Sequence, residues 1–414
     1  MQTHDVIVIG AGLAGLRCAI TLARAGRDVV VLEAEDTVGG RQRTDAVDGF
    51  LLDRGFHTLN PAYPAVQRGV DIAALRLQRF PVGVRVRRER TIAELSHPLW
   101  HPAQLPETLR SGLLRPADAV ALARWIAPAL VGPRTMLAGR DRTLREGWNH
   151  AGLHGPLRTE VLEPFLAGVL ADDTGETSND FVRLLIRMFV VGRPGLPERG
   201  IGALPAQLAL TATSHGAGIR LGHRVAAVRP RAGGAEVDIV GGDPLSARAV
   251  VVAVGPEVVP DLIDLPRPDT RGLQTWWFAT DAAPAASALI SVDGRRRGPV
   301  VNTVVMSHSA SSYAPSGRHL VQATCLLPLT GAPTETQVRR HLGEIWQTDV
   351  TAWELLRRDD IVDALPAQAA PLAVTQRARI ADALYVAGDH RDTASIQGAL
   401  ASGDRVARAV LAAR

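Results

Sequence analysis

Three glycines early in the sequence constrain the fold of this 414-residue chain more than any other feature. They follow a short apolar run, 6–9, which is typical of a buried parallel strand. Residues 13–25 are rich in alanine and leucine and predict a helix that Gly26 ends. A second apolar run, 29–32, predicts the next strand. This order is the βαβ unit of dinucleotide-binding proteins, with the G-x-G-x-x-G pattern at Gly10, Gly12 and Gly15.

Each glycine has its own physical role in such a unit. The first permits a tight turn, the second lets the backbone approach a pyrophosphate, and the third lets the helix pack close to the strand. The free N–H groups at the start of the helix favour the phosphates. Glu33 ends the second strand, where it can accept both hydroxyls of a ribose and disfavours a 2′-phosphate. We expect dinucleotide contacts from Gly10, Ala11, Gly12, Leu13, Ala14, Gly15, Glu33 and Ala34.

The composition admits a large core and limits the kinds of partner. With 46% hydrophobic residues, the chain has the length and apolar content for two or three domains. All 46 basic residues are arginine, and the formal net charge is +4. The densest basic stretches, 85–90 and 294–298, lack interleaved aromatic residues, so we interpret them as solvated loops or hairpins. No nucleic-acid partner is expected.

The cysteines and the hydropathy pattern give no support to metal or membrane-spanning classes. Cys18 and Cys325 belong to no C-x-x-C pair, so no metal site, redox dithiol or disulfide framework is expected. Cys18 falls in the first predicted helix and is expected in the core. The chain enters a core strand almost at once, and no apolar run is long enough to span a membrane. We expect a cytoplasmic protein without a signal peptide.

A second glycine-containing element indicates the kind of dinucleotide. Residues 39–41, Gly-Gly-Arg, allow a loop to fold back over the same pyrophosphate and add a charge-assisted contact. A nicotinamide domain does not usually need this element, whereas a flavin dinucleotide held along its length does. Residues 53–57 then read D-R-G-F-H. Together these motifs resemble the flavin-containing amine oxidoreductase superfamily, which includes monoamine oxidases, protoporphyrinogen oxidases and carotenoid desaturases.

The resemblance implies FAD as the cofactor, and non-covalent FAD because the last motif contains no cysteine. His57 would lie near the flavin ring as the candidate catalytic residue, with an ordinary loop histidine as the alternative. A strand at 383–387 and a helix at 393–410 would bring Gly-Asp to the ribityl chain and a helix N-terminus to the pyrimidine end of the flavin. The resemblance implies cofactor contacts from Gly39, Gly40, Arg41, Gly55, Phe56, His57, Val225 (against the adenine), Gly255, Gly388, Asp389, Ser395, Ile396 and Ala399.

The expected fold class is α/β, with a discontinuous Rossmann-like FAD-binding domain, a mixed-sheet substrate domain and a helical insert. Helical spacing at 116–131 and 179–191 predicts the insert, and an amphipathic pattern predicts a helix over 336–349. Further strands are expected at 82–86, 219–221, 224–228, 236–240, 249–254, 274–281, 288–292, 300–306 and 319–326. We expect an FAD-binding domain from 1–75, 197–268 and 373–414, substrate-domain strands from 76–96 and 269–372, and a helical cap from 97–196.

Three stretches are candidates for contact with the substrate or its surroundings. Trp276 and Trp277 are adjacent on a predicted strand and point to opposite sides, so one of them is a candidate to line a flavin-facing cavity, with core packing as the alternative for each. The apolar face of 181–190 is a second candidate, with core packing as the alternative. Peripheral membrane contact stays open for 97–125, with a buried helix as the alternative, because arginines there surround Trp100, Leu113, Leu114 and Trp125.

The chemistry follows from what the chain has and lacks. One dinucleotide fingerprint implies that electrons come from the substrate and leave to oxygen, a quinone or another acceptor. Many amine oxidases of the resembling family place a lysine beside the flavin, and this chain has no lysine. We therefore expect a desaturase- or oxidase-like enzyme that removes hydride from a hydrophobic small molecule to form C=C or C=N. The alternatives are an FAD-dependent isomerase, an amine oxidase without the lysine, and a plain NAD-binding protein. The sequence leaves the substrate, the general base and the oligomeric state open.

Overall fold

The computed structural model describes residues 3–97, 101–328 and 330–413. The described residues form two large sheets, two strand pairs and a set of helices around them. The strands are β1 Thr3–Ile9, β2 Val29–Leu32, β3 Thr44–Val47, β4 Phe50–Asp53, β5 Gln78–Arg79, β6 Gly83–Arg87, β7 Ile92–Ser96, β8 Gly195–Leu196, β9 Gly218–Arg220, β10 Val225–Arg231, β11 Gly234–Ile239, β12 Leu245–Val252, β13 Thr270–Thr280, β14 Ile290–Asp293, β15 Val300–Val305, β16 His319–Leu327, β17 Glu354–Pro366, β18 Arg379–Ala381 and β19 Leu384–Val386. The helices are α1 Leu13–Arg24, α2 Pro64–Gly69, α3 Ile72–Leu75, α4 Leu105–Arg110, α5 Pro116–Val131, α6 Pro133–Leu137, α7 Leu144–Ala151, α8 Glu163–Leu170, α9 Asn179–Val191, α10 Ala203–Ser214, α11 Val259–Leu262, α12 Met306–Ser309, α13 Glu335–Trp346 and α14 Ile396–Ala412.

The first large sheet combines strands from three distant parts of the chain. Its order is β10-β11-β12-β1-β2-β9, with β19 also paired to β12 and β18 paired to β19. The pairs β12–β1, β1–β2, β2–β9 and β12–β19 are parallel. The central strands are apolar and mostly buried on both faces, as their β-branched sequences predict. The predicted βαβ unit and α/β class are confirmed.

The parallel register brings the ends of four strands to one edge of this sheet. Ile9 is the partner of both Leu32 and Val252, and Val252 is the partner of Val386. The loops that follow these strands therefore start side by side, although they are far apart in sequence. In parallel α/β sheets this carboxyl edge is where ligands bind.

Helix α14 lies across α1 and joins the two distant halves of the sheet. A Cβ placed on Gly403 would overlap the carbonyl oxygen of Ala14, so the two backbones meet there without a side chain between them. Asp404 accepts hydrogen bonds from Arg17 (3.1 Å) and Thr21 (2.9 Å). Helix α14 starts three residues later than the predicted Thr393, because the Ser395 side chain caps it by accepting from Gly398 N–H.

The second large sheet has the order β17-β13-β16-β15-β14-β6-β7 and is antiparallel except for the pair β14–β6. The predicted strands of this region form it, together with β17, whose sequence shows no strand pattern. Helix α13 covers one face, where Val338, Leu342 and Ile345 pack with Trp276 and Phe278. The amphipathic helix expected over 336–349 is therefore confirmed.

The part of the chain between β7 and β8 is helical, as predicted, with α5 and α9 at the expected residues. Two of the four residues suggested for membrane contact are instead core residues, since Leu113 and Trp125 are fully buried. The Trp125 indole donates to Asn179 Oδ1 at 2.7 Å, which fixes α5 on α9. Leu114 is half-buried, and Trp100 lies outside the described residues. None of the helices in the described part of the chain combines the length and apolar character needed to span a bilayer.

The two basic stretches form hairpins, as expected, but they are not simply solvated. Arg85 and Arg87 are buried on β6. The Arg85 guanidinium stacks 5.0 Å from the centre of the Trp346 ring, and Arg295 pairs with buried Asp293 at 2.8 Å. The expectation of solvated arginines is wrong for Arg85, Arg87 and Arg295, because all three contact α13. Arg90, Arg296 and Arg297 are exposed, as expected.

Candidate active site

The glycine turn after β1 has the geometry that a dinucleotide requires. Gly10 has φ +101°, and a Cβ there would lie 2.7 Å from the carbonyl oxygen of Ala253. A Cβ on Gly15 would overlap the carbonyl oxygen of Gly10, so α1 packs directly on the turn. Gly12 differs, because a Cβ added there meets no atom within 4 Å. Gly12 also gives α1 no side-chain cap, which leaves the first N–H groups of the helix available to an anion.

Glu33 stands at the same sheet edge and is already tied to the turn. One carboxylate oxygen accepts from Ala11 N–H at 2.7 Å, and the other accepts from Glu35 N–H at 3.0 Å. The side chain is mostly buried, and neighbouring Ala34 is half-buried. The structure therefore brings Glu33 and Ala34 together with residues 10–15, as the fingerprint predicts.

The second glycine loop lies against the first. Gly39 forms a parallel bridge with Gly12 and donates its N–H to Ala11 at 2.9 Å. A Cβ on Gly40 would lie 3.6 Å from Gly12 Cα. The two loops thus meet backbone to backbone at Gly12, Gly39 and Gly40, and form one glycine-lined surface at the start of α1.

Arg41 connects this surface to the last motif of the chain. Its guanidinium pairs with Asp389 at 2.5 Å and donates to the carbonyl oxygen of Ala364 at 3.0 Å. The residues that begin α14, Ser395 and Ile396, are half-buried, as is Ala399. Two stretches more than 330 residues apart therefore converge on one site, as the resemblance implies.

Val225 and Gly255 lie at the margins of the sheet. Val225 is half-buried on β10 and packs against the apolar cluster of the sheet. Gly255 follows β12, and a Cβ there would overlap the carboxylate of Glu257. Their assigned contacts with the adenosine half of the cofactor stay predictions.

His57 is held in the loop by both ring nitrogens. Nε2 donates to the Arg54 carbonyl at 2.9 Å, and Nδ1 accepts from the Gln42 side-chain amide at 3.2 Å. Burial lowers the pKa of His57, and the nearby Arg41 acts in the same direction. The imidazole is therefore neutral, and its acceptor nitrogen is occupied. This geometry favours a role for His57 in positioning the loop over a role as a general base.

The two tryptophans have different surroundings. Trp276 packs towards α13, and its indole donates to Gln274 at 2.7 Å. Trp277 lies on the other face in an apolar cluster with Phe80 and Tyr313, and Phe56 packs against that cluster. The Trp277 indole nitrogen is buried without a hydrogen-bond partner among the described residues. Of the pair, Trp277 is thus the one on the side of residues 55–57.

Helix α9 changes environment along its length. Its first four residues are buried, whereas residues 183–190 are all half-buried. The Phe189 ring meets Phe165 edge-on at 5.8 Å between centroids. Such a helix is consistent with the lining of an open cleft, which stays a prediction for its apolar face.

Sequence reasoning missed Asp53, the acidic residue of the D-R-G-F-H stretch. Asp53 is fully buried and accepts from Thr44 (2.5 Å), Tyr313 (2.9 Å) and the backbone of Ile201 (3.1 Å). Burial raises its pKa to about 6, against the effect of these hydrogen bonds. Asp53 thereby links β4 to β3, to the 311–313 segment that precedes β16, and to the turn before α10. No sequence pattern indicates which of 42 acidic residues has such partners.

His390 was also missed, although it directly follows Gly388-Asp389. The imidazole lies over Gly388, where a Cβ would overlap it. The residue is 4% exposed, and neither ring nitrogen has a hydrogen-bond partner among the residues described. Burial lowers the pKa of His390 to about 4, so the ring is neutral. Buried polar groups in native proteins normally have partners, so His390 lacks one that a ligand would supply.

The residues present fit an FAD. The open side of Gly12 and the uncapped start of α1 suit a pyrophosphate. Glu33 suits a ribose. The unpaired imidazole beside Gly388 and the half-buried start of α14 suit the ribityl and flavin portions. All four features lie along the carboxyl edge of the first sheet.

Comparisons with known proteins agree with this geometry. The sequence profile described as flavin containing amine oxidoreductase matches residues 13–411. The chain is 30% identical to hydroxysqualene dehydroxylase of Rhodopseudomonas palustris over 456 positions, covering 100% of this chain and 99% of that protein. A shorter match to protoporphyrinogen oxidase 2 of Arabidopsis thaliana is 34% identical over 110 residues, 26% of this chain and 21% of that protein.

A solved structure shows the same fold. An oxidoreductase from Methanosarcina mazei matches with a TM-score of 0.74 and 19% identity, covering 98% of this chain and 100% of that chain. The resemblance predicted from the motifs and the FAD cofactor are confirmed by the family match. The chain belongs to the flavin-containing amine oxidoreductase family, and it is an FAD-dependent oxidoreductase.

Proposed function

We propose that the enzyme removes a hydride and a proton from a hydrophobic small molecule and so forms a C=C or C=N bond. One observation carries this proposal: the segment predicted to pass the flavin continues into an apolar cluster. Phe56, the neighbour of His57, meets Phe80 edge-on at 6.3 Å between ring centroids and packs against the cluster that contains Trp277. An apolar wall next to the cofactor segment suits an apolar substrate.

FAD, when bound, supplies the hydride acceptor. In this proposal the start of α1 holds the pyrophosphate, Glu33 holds the ribose, and the ion pair with Arg41 orients Asp389 towards the ribityl chain. His57 fixes the loop beside the reacting atoms, and Trp277 with Phe56 excludes water. The first sheet takes its strands from the segments expected to form the FAD-binding domain, and the second sheet takes its strands from the segments expected to form the substrate domain. This distribution supports the expected FAD-binding, substrate and cap domains. Oxygen, a quinone and another acceptor stay open as the destination of the electrons.

The names of relatives support the substrate class. They include hydroxysqualene dehydroxylase, protoporphyrinogen oxidase and hydroxyneurosporene desaturase, whose named substrates are hydrophobic molecules. Putrescine oxidase of Kocuria rosea also matches, at 46% identity, but over 20% of this chain. An amine oxidase here would work without a lysine, because the chain contains none.

A second candidate is reductive removal of a hydroxyl group, in which a hydride takes the place of the departing hydroxyl. The match to hydroxysqualene dehydroxylase over the whole chain favours it. In this reaction the hydride would pass from reduced flavin to the substrate. The enzyme would then need an external electron donor, such as a reduced nicotinamide or a ferredoxin.

Anaerobic mixing distinguishes these reactions. We expect an isoprenoid alkene or porphyrinogen to bleach the oxidised-flavin absorbance and to yield a product lacking two hydrogens. For the second candidate, an isoprenoid alcohol reoxidises photoreduced enzyme and loses its oxygen atom. An isomerase leaves product mass unchanged. If alkene, porphyrinogen and amine panels all leave the flavin oxidised, the proposed direction of hydride transfer is wrong.

We expect His390→Leu to weaken FAD binding about tenfold, because one hydrogen bond to the cofactor is lost. The same change removes an unpaired buried imidazole, so the free energy of unfolding of the apoprotein should be unchanged or higher. The measurements are fluorescence titration of apoprotein with FAD and urea unfolding of the apoprotein.

His341→Leu is the matched control for this prediction. His341 is equally buried, but it accepts from Val300 N–H (3.1 Å) and donates to Asp293 (2.9 Å). Its replacement should lower the stability of the apoprotein by about 2 kcal/mol and leave FAD affinity unchanged. An unaltered FAD affinity in His390→Leu would show that the imidazole does not reach the cofactor.

A further inference from the structure

Helix α5 presents an apolar face to solvent. Its exposed positions recur at helical spacing, and Arg124 is the one polar residue among them. Val120 is 59% exposed and Val131 is 88% exposed. The opposite face is apolar except for Asp118, and it is buried against α7 and α9. A helix that is hydrophobic on most of its surface normally lies in a protein core or in contact with a membrane. The exposed positions are Pro116, Ala117, Val120, Ala123, Arg124, Ala127, Pro128, Leu130 and Val131.

The preceding helix extends this apolar surface. Leu105 and Leu109 of α4 are exposed, Leu109 by 57%, and a five-residue connection, 111–115, leads from α4 into α5. We call the exposed residues of these two helices the α4–α5 face. Six of the ten large hydrophobic residues found exposed in the described chain lie between 105 and 191. An apolar surface of this kind usually marks an interaction site.

The charges around the α4–α5 face are almost all positive. Five arginines between 101 and 140 are exposed and form no ion pair with any described residue. Glu107 is the one exposed acid of this range, because Asp118 is buried and accepts from Gly155 N–H at 3.1 Å. The five exposed arginines are Arg110, Arg115, Arg124, Arg134 and Arg140.

This charge pattern identifies the kind of partner. A second copy of the chain would bring the same arginines face to face in a two-fold interface, and such like-charge contacts are costly. An anionic lipid surface offers apolar depth for the valines and leucines and negative headgroups for the arginines. We propose that the α4–α5 face docks on an anionic membrane surface, without spanning it.

Docking here would place the helical cap at the lipid. Helix α5 packs on α9 through the Trp125–Asn179 hydrogen bond. The half-buried stretch of α9 is therefore one helix away from the bilayer. A hydrophobic substrate dissolved in lipid would reach the cap without crossing water. The docking itself rests on the exposed residues alone and stands independently of the reaction proposed above.

Vesicle sedimentation of the FAD-loaded enzyme tests this proposal. We expect binding to vesicles of phosphatidylcholine with phosphatidylglycerol, weaker binding at high salt, and little binding to phosphatidylcholine alone. Arg115→Gln and Arg124→Gln should each lower the partition constant about fivefold. The double variant Val120→Asp/Val131→Asp should stay in the supernatant.

Leu210→Asp provides the matched control. Leu210 is 73% exposed on α10, far from this face in sequence, and its replacement should leave vesicle binding unchanged. Flavin absorbance and urea unfolding confirm that each variant is folded. The proposal is overturned if the wild type ignores anionic vesicles, or if the double valine variant binds as well as the wild type. A dimer in analytical ultracentrifugation that the valine variant dissociates, without vesicle binding, would assign the face to self-association instead.

Discussion

Replacing Gly12 with valine is expected to give a folded protein that purifies without FAD. The backbone at Gly12 has φ −72° and ψ 178°, which any L-residue adopts, and a Cβ there meets no protein atom within 4 Å. The apoprotein should therefore tolerate the change. The side chain would fill the space proposed for the pyrophosphate and weaken FAD binding about 100-fold, or about 3 kcal/mol. The flavin-to-protein absorbance ratio and FAD titration of the apoprotein measure the effect.

Two other glycines serve as controls. Gly218→Val on edge strand β9 meets its nearest atoms at 3.9 Å, so that variant should purify yellow. Gly15→Val places a Cβ on the carbonyl oxygen of Gly10 and should prevent folding rather than loading alone. A yellow Gly12→Val protein with wild-type affinity would mean that the phosphates lie elsewhere.

Replacing Asp53 with alanine is expected to lower the free energy of unfolding by about 4 kcal/mol. The change leaves three donors without their acceptor in a fully buried site: the hydroxyls of Thr44 and Tyr313 and the N–H of Ile201. Because these donors come from three separate elements, the loss affects the packing of all three around Asp53. Urea unfolding followed by tryptophan fluorescence measures the loss, and Asp281→Ala, at an exposed acid, should be neutral. A loss below about 1 kcal/mol, the range of an ordinary surface substitution, would contradict the role of Asp53 as a buried hub.

Asp53 also predicts a specific pH dependence. Its pKa is about 6 in the folded protein and near 3.8 in an unfolded chain. The folded state therefore holds this proton more tightly, and the stability from Asp53 is full below pH 3.8 and is lost as the pH rises to about 6. The loss is at most about 3 kcal/mol. Asp53→Asn has no proton to lose, so the difference between the two unfolding curves should change across that window. Parallel curves from pH 4 to pH 7 would contradict the raised pKa.

Local sequence signals predicted the elements whose physics is local. The βαβ unit, the spacing of apolar residues in α5 and α9, and the amphipathic pattern of α13 each lie within about 40 residues. Each is found where the pattern places it. The orientation of Trp276 and Trp277 shows the limit of such signals, because alternation fixes opposite sides but not which side meets the cofactor segment.

Strand β17, the longest in the described chain, was missed because its sequence is charged. Residues 354–366 include Arg357, Arg358, Asp359 and Asp360, which a single-sequence reading assigns to a solvated segment. In the structure Arg357 pairs with Asp359 and Arg358 pairs with Asp360 within the strand, and Arg357 also reaches Asp45 of β3 at 2.7 Å. Pairing with nine of the eleven residues of β13 supplies the stabilisation that apolar content does not.

Asp53 and His390 were missed for a different reason. The role of Asp53 depends on its hydrogen-bond partners, and the role of His390 depends on the lack of such partners. Both are visible only in the folded chain. Tyr313 is 260 residues from Asp53, and the unpaired nitrogens of His390 become visible only once burial is known. The D-R-G-F-H motif includes Asp53 and the Gly-Asp motif adjoins His390, but the motifs assigned site roles only to neighbours such as Gly55 and Asp389.

The crossing of α14 over α1 has a consequence for biosynthesis. Arg17 and Asp404 are 387 residues apart, so a growing polypeptide on the ribosome has the first glycine turn long before it has Asp389 and α14. Until those late residues emerge, the early half of the site lacks the groups proposed to face the flavin. We therefore expect stable loading with FAD to require the synthesis of nearly the whole chain.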